Sequence, residues 1–263
     1  MRIVVCVKHV PDVQSERRFE EGRLVRGEDD VLNELDENAI EAAVSLVEDN
    51  GGEVIALTMG PEDAEDALMR ALQMGADRGV LVTDDALQGA DVATTASTLG
   101  AAIEKIAQES PIDLVLTGMA SLDSMTSMLP AALATRLKLP LLGLAHTLLV
   151  DTQESTVTIT READGFTDQL RTALPAVVSV TDQVNEPRYP AFAAMKAARS
   201  KPRDQWNIDD LADTRNGAGL AERTPTTSVV DTAEVVRDGN GTIIPDSGDA
   251  GAQLAAYIRQ VVK

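Results

Sequence analysis

Val54-Ile55-Ala56-Leu57-Thr58 runs into the turn Met59-Gly60-Pro61 and then into a helix-patterned stretch, Glu62 to Met74. The apolar run is the length of a buried strand and the Gly-Pro pair ends it. Ala64, Leu68, Ala71 and Leu72 then fall on one helical face, and Gly75 supplies the stop. The same alternation repeats on both sides. Arg2 to Lys8 is a strand, and Asn33 to Asn50 is a helix with Ile40, Ala43, Val44 and Val47 inward, Asn33 as N-cap and Gly51-Gly52 as its end. Val10-Pro11-Asp12 between them reads as a loop. Gly79 to Val82, a helix from Ala90 to Glu109, Ile112 to Thr117 and a helix from about Ser127 to Leu137, with Pro130 in its first turn, complete the pattern. Strands alternating with helices imply right-handed βαβ units on a parallel sheet.

Past residue 138 the rhythm changes. Leu144 to Val150, Ser155 to Arg161, Gln169 to Leu174 and Ala176 to Thr181 follow one another without helices, so antiparallel hairpins extending the same sheet are expected. Asn185-Glu186-Pro187-Arg188-Tyr189-Pro190 excludes regular structure and leads to a short helix, Phe192 to Arg199. After Pro202 the chain turns rich in Gly, Thr, Asp and Ala, with turn signals at Asn216-Gly217, Asp238-Gly239 and Asn240-Gly241. Ordered pieces are expected only at Ile208 to Ala212 and Ala252 to Val262. The division that results is an α/β core over 1–187, a docking loop over 188–203 and an extended arm over 204–263 that lies on a partner.

The 263 residues suffice for a substantial core, and 44% apolar with 25% charged residues is ordinary for a soluble globular chain. No apolar run reaches the length of a signal peptide core or a membrane span, so no membrane insertion is expected. A single cysteine gives no disulfide framework and fits a reducing, cytoplasmic setting. A net charge of −20 argues against nucleic acid as a partner. His9, His146 and Cys6 lie far apart and show no metal-ligand spacing. No nucleophile-base pattern, P-loop or Gly-x-Gly-x-x-Gly motif occurs, and no catalytic residue is assigned.

Two places could carry function. The carboxyl ends of parallel strands are where open α/β sheets take nucleotides. There Cys6, the helix start Asn33-Glu34-Leu35-Asp36, Met59, and the loop from Gly118 through Ser121, Asp123, Ser124, Met125, Thr126 and Ser127 should converge. Helix N-termini and hydroxyls suit phosphate, although a plain capped helix behind a polar loop has the same signature. The other place is Arg188 to Arg203, which holds five basic side chains (Arg188, Lys196, Arg199, Lys201, Arg203) and no acidic one, leaving −25 for the remaining chain. Around Tyr189, Phe192 and Met195 this resembles a docking element, or an aromatic packing its own short helix.

Arg161-Glu162 with Asp164-Gly165, Leu170-Arg171 with Leu174-Pro175-Ala176-Val177-Val178, Asn185-Glu186-Pro187-Arg188-Tyr189 and Met195-Lys196-Ala197 together resemble the signature of the electron-transfer flavoprotein beta subunit, over roughly the first 200 residues. The resemblance implies a three-layer α/β fold, adenine-nucleotide hydrolase-like, with a mostly parallel sheet, an antiparallel extension and a C-terminal arm. It implies a carrier subunit and not an enzyme. FAD would be held mostly by an alpha subunit in a heterodimer, and aromatics at 2% of this chain suit that division. Electrons would come from flavin dehydrogenases such as the acyl-CoA dehydrogenases of fatty acid oxidation and leave to a quinone oxidoreductase. By the same resemblance the segments at Cys6, Asn33 to Asp36, Met59 and Gly118 to Ser127 hold a structural AMP. Glu162 meets an arginine of the alpha subunit's mobile flavin domain. Phe192, with Tyr189, Met195, Lys196 and Arg199 around it, anchors partner dehydrogenases. Met125-Thr126-Ser127 stands where the family pattern is richer in Gly and Gln. The alternatives are a bifurcating flavoprotein subunit with a second FAD and a stand-alone adenine-nucleotide-binding regulatory or stress-type protein.

Overall fold

A computed structural model describes residues 1–263 apart from Glu21, Glu234, 236–238, Asn240, Thr242 and Lys263. Asp238 and Asn240 of the expected turns therefore lie outside the described residues. In chain order the elements are β1 (Arg2–Cys6), β2 (His9–Pro11), β3 (Phe19–Glu20), β4 (Arg23–Leu24), β5 (Asp30–Leu32), α1 (Glu34–Asn50) and β6 (Glu53–Met59). A 3-10 turn, Glu62–Ala64, leads into α2 (Glu65–Met74), β7 (Arg78–Val82), α3 (Val92–Glu109), β8 (Leu114–Gly118) and α4 (Leu129–Leu137). Then come β9 (Leu141–Ala145), β10 (Thr147–Asp151), β11 (Thr156–Ala163), β12 (Phe166–Ala173), β13 (Ala176–Val180), α5 (Phe192–Ala198), β14 (Arg203–Trp206) and α6 (Ala250–Val261).

Seven strands form the main sheet in the order β14-β7-β6-β1-β8-β13-β9, and every pairing in it is parallel. Strand residues alternate between faces, so each strand feeds two cores. Ile3 and Val5 face α1 and α2, whereas Val4 and Cys6 face α3 and α4. The three-layer α/β expectation holds.

Three details differ from the sequence reading. The antiparallel strands β10-β11-β12 form a sheet of their own instead of widening the main one. Between β8 and β9, β13 is inserted parallel. Its run Ala176-Val177-Val178-Ser179-Val180 is buried at every position, the pattern of a strand covered on both faces. Val10 and Pro11 belong to β2, which pairs antiparallel with β5; Pro11 is tolerated at the strand's end.

Beyond Pro202 the body continues. β14 adds to the edge of β7, and Ile208, Leu211 and Leu220 are buried in the core beneath α3. One compact unit comprises Met1–Val230 and a second comprises Asp231–Lys263. In the second unit, α6 has no buried residue: Leu254, Tyr257, Ile258 and Val261 are all exposed. Among the described residues no helix is long and apolar enough to cross a membrane.

Candidate functional site

Strand order reverses at β1. β6, β7 and β14 extend to one side and β8, β13 and β9 to the other. The carboxyl ends of β1, β6 and β8 therefore border a topological switch point, where loops part and leave a crevice. Gly118 closes the end of β8 against the start of α1. A Cβ there would lie 2.5 Å from Asp36 Oδ1 and 2.6 Å from the Leu35 carbonyl oxygen, so only glycine admits this approach.

Asn33 does not cap α1 through its side chain. Its Nδ2 donates to the Ala120 carbonyl at 2.9 Å, and its Oδ1 accepts from the Leu122 amide at 3.0 Å. Buried and spent in both directions, it fastens the loop after β8 to the helix start. Asp36 is buried as well and accepts the Lys8 amide at 2.9 Å. Burial drives its carboxyl up to about 7 against the pull of bonds from Asn33, Lys8 and Gly118. Cys6, at the end of β1, has its thiol pushed up to about 12 by burial, with the Asp36 charge adding to it. It is an inert core thiol.

Asp123 collects the cations. Its side chain is 2% exposed and accepts both Lys8 Nζ, at 2.8 and 2.9 Å, and Arg26. Burial alone would raise this carboxyl, but Lys8, Arg26 and Ser121 overcome it and hold it at about 2. The loop closes on itself through Ser121 Oγ and Ser124 Oγ at 2.8 Å and the Met125 amide on Ser121 O at 2.8 Å, while Arg17 donates to Leu122 O at 3.0 Å. Met125 (φ 50°) and Ser127 (φ 52°) both sit in the left-handed region that non-glycine residues avoid.

The structure thus joins Asn33, Asp36, Gly118, Ser121, Asp123 and Ser124 into one hydrogen-bonded cluster, with the Leu35 carbonyl packed against Gly118. Cys6 and Met59 line the strand ends without a polar contact, Glu34 is exposed, and Thr126 and Ser127 are exposed on the loop. Lys8 and Arg26 are the residues the sequence reading missed. A lysine directly after the first buried strand of so acidic a chain was the available signal for one of them.

At the expected docking segment Tyr189 is 86% and Phe192 80% exposed, with Met195 at 36%. Of the five expected cations only Lys196 and Arg199 are exposed and without an ion pair among the described residues. Arg188 is held by Glu41 at 2.7 Å and Glu48 at 2.6 Å on α1. Lys201 Nζ donates to Leu72 O, in the last turn of α2, at 3.0 Å and to Ala76 O, just past its end, at 2.6 Å, and burial lowers its pKa. Arg203 reaches Glu65 at 3.2 Å. These three fasten the segment to the body instead of offering charge to a partner. On the β11–β12 hairpin, Arg161 pairs with Asp168 at 2.9 Å, leaving Glu162 exposed beside Phe166, itself 72% exposed.

Comparison with known sequences completes the picture. The profile of the electron transfer flavoprotein domain matches residues 22–211. The chain belongs to the electron transfer flavoprotein family, on its beta-subunit side. It is 35% identical over 264 aligned residues to the electron transfer flavoprotein subunit beta of Mycobacterium leprae, covering 97% of both chains. It is 34% identical to the caffeyl-CoA reductase-Etf complex subunit CarD of Acetobacterium woodii, over 84% of this chain and 83% of that one. With protein FixA of Azorhizobium caulinodans it shares 37% identity over 76% of this chain and 73% of the relative.

Proposed function

We propose that this chain is the beta subunit of a heterodimeric electron-transfer flavoprotein, working in the cytoplasm. An alpha subunit holds FAD. Flavin dehydrogenases deliver electrons, acyl-CoA dehydrogenases among them, and a quinone oxidoreductase removes them. The observation that carries the reading is the expected docking segment: two aromatic side chains almost wholly in water, Phe192 opening a short helix and Tyr189 in the loop before it, on a stretch pinned to α1 and α2 by Arg188, Lys201 and Arg203. Exposed aromatics on a preorganised support are the anatomy of a binding anchor. Lys196 and Arg199 steer an acidic partner surface towards it. Glu162 on its hairpin is available to an arginine of the alpha subunit, and the exposed apolar face of α6 suits burial against that subunit.

AMP would sit at the carboxyl ends of β1, β6 and β8. Its phosphate would meet the hydroxyls of Ser121 and Ser124, the Lys8 and Arg26 cations and the backbone of the loop up to Ser127. Cys6, Met59, Leu35 and Gly118 would supply its walls. The nucleotide there braces the loop and takes no part in electron transfer.

Co-expression with a candidate alpha chain tests the assembly, and a chain that never yields a yellow one-to-one complex refutes it. Released small molecules, separated by chromatography, then give one FAD and one AMP. Two FAD would identify the bifurcating form, and a nucleotide bound tightly without any flavin partner would identify the stand-alone regulatory protein.

A further inference from the structure

His9 was unremarkable in sequence, but the fold gives it an environment that calls for a ligand. β2 and β5 pair His9 with Leu32 and Pro11 with Asp30, which puts His9 and Asp30 diagonally adjacent on one face of this two-stranded ribbon. Asp63, on the 3-10 turn that follows β6, approaches from a different element. One ring nitrogen of His9 and one oxygen from each carboxylate lie within 4.8 Å of one another. The His9 side chain is only 6% exposed and that of Asp30 only 5%.

Neither nitrogen of this buried ring makes a hydrogen bond among the described residues. Nδ1 stands 4.0 Å from Asp30 Oδ2, beyond hydrogen-bonding range, and Nε2 is shut off from solvent with no partner. A buried polar group left in this state costs on the order of 1–3 kcal/mol. Asp30 adds a second burden, since its one ion-pair partner among the described residues is that same imidazole. Two donors bound to one tetrahedral ion stand roughly 3.4 Å apart. From separations of up to 4.8 Å the group therefore needs to contract by up to about 1.4 Å to close on a cation, and Asp63, on an exposed turn, has room to move.

We infer that His9, Asp30 and Asp63 form a divalent transition-metal site of the zinc class. The imidazole nitrogen selects against Mg²⁺ and Ca²⁺, which prefer all-oxygen shells, and the two carboxylates balance the ion's charge. Water fills the fourth position. Such an ion joins the segment after β1, the segment before α1 and the turn after β6, and so fixes the excursion between Asp12 and Asp29 to the body. The site would be there whether or not the chain carries electrons.

The test uses the full chain, stripped with chelator and titrated with zinc chloride by calorimetry. Only two histidines are present, so imidazole nitrogen NMR reports each separately. One equivalent of zinc should bind and shift one His9 nitrogen, with His146 unmoved. Asp63→Asn, on the exposed turn, should keep the fold and weaken zinc by at least about 100-fold, more than even outer-shell changes do. His9→Gln should do the same, and His146→Gln should bind like the parent. Any of the following overturns the inference: no saturable uptake, Asp63→Asn and His9→Gln binding as tightly as the parent, a shift at His146 instead of His9, or tighter binding of Ca²⁺ or Mg²⁺ than of zinc.

Discussion

Replacing Asp123 by Asn removes one charge from a triad that joins the first loop, the segment before β5 and the loop after β8. Its carboxyl is held at about 2 against an ordinary 3.8. At about 1.4 kcal/mol per pH unit of depression, the carboxylate is worth about 2 kcal/mol. Lys8 is 40% and Arg26 33% exposed, so solvent screens part of this, and about 1–2 kcal/mol remains. A folded value below the unfolded one means the stabilisation is fully present above pH 3.8 and lost as pH falls through about 2. At pH 7 Asp123→Asn should therefore lower Tm by about 2–6 °C. The gap between variant and parent should narrow as pH drops from 5 towards 3. A double-mutant cycle with Lys8→Met isolates the pair and should give a coupling of about 1 kcal/mol. Equal melting temperatures at pH 7, or additive single mutants, would refute the account of the triad.

Asp36 has the opposite sign. Its folded value of about 7 exceeds the usual 3.8, so its contribution is whole below pH 3.8 and disappears as pH climbs through 7. Melting curves from pH 5 to 8 should show the parent losing stability that Asp36→Asn keeps; parallel curves would count against it. Gly118→Ala forces a methyl onto Asp36 and the Leu35 carbonyl and should cost about 1–3 kcal/mol in urea unfolding, with an unchanged midpoint as the contrary result. Phe192→Ala leaves a residue already 80% exposed, so Tm should hold, while dehydrogenase-driven flavin reduction should lose at least about 30-fold in kcat/KM. Unchanged kinetics would remove Phe192 from the docking surface.

How much of this was legible follows from where each signal lies. The alternation of apolar runs with amphipathic stretches carries β1 to α4, because each element's partner is its sequence neighbour. The pattern also held the correct placement of β13. Its unbroken run is that of a strand buried on both sides, whereas β10 alternates with period two, as a one-sided sheet requires. β14 was out of reach, since Arg203-Asp204-Gln205-Trp206 has no strand pattern and gains its conformation from the free edge of β7. Topology brought Asn33, Asp36 and Gly118 to one place, but not what Asn33 would do there; its two loop contacts span 87 and 89 residues. Arg188 likewise counted as a surface charge until Glu41 and Glu48, neighbours on one face of α1, came within reach across 147 and 140 residues. His9 was dismissed because its carboxylates come from two other segments.

The stretch bearing α5 leaves the main sheet at β13 and re-enters it at β14, on the far edge, crossing over α1 and α2 on the way. It is therefore a bridge resting on two abutments, not a tail. A visitor that grips its midpoint pulls on both halves of the body at once, and has little slack to take up before the load is shared. Peeling such a span away would mean lifting an edge strand, so release must come from the visitor's side of the contact.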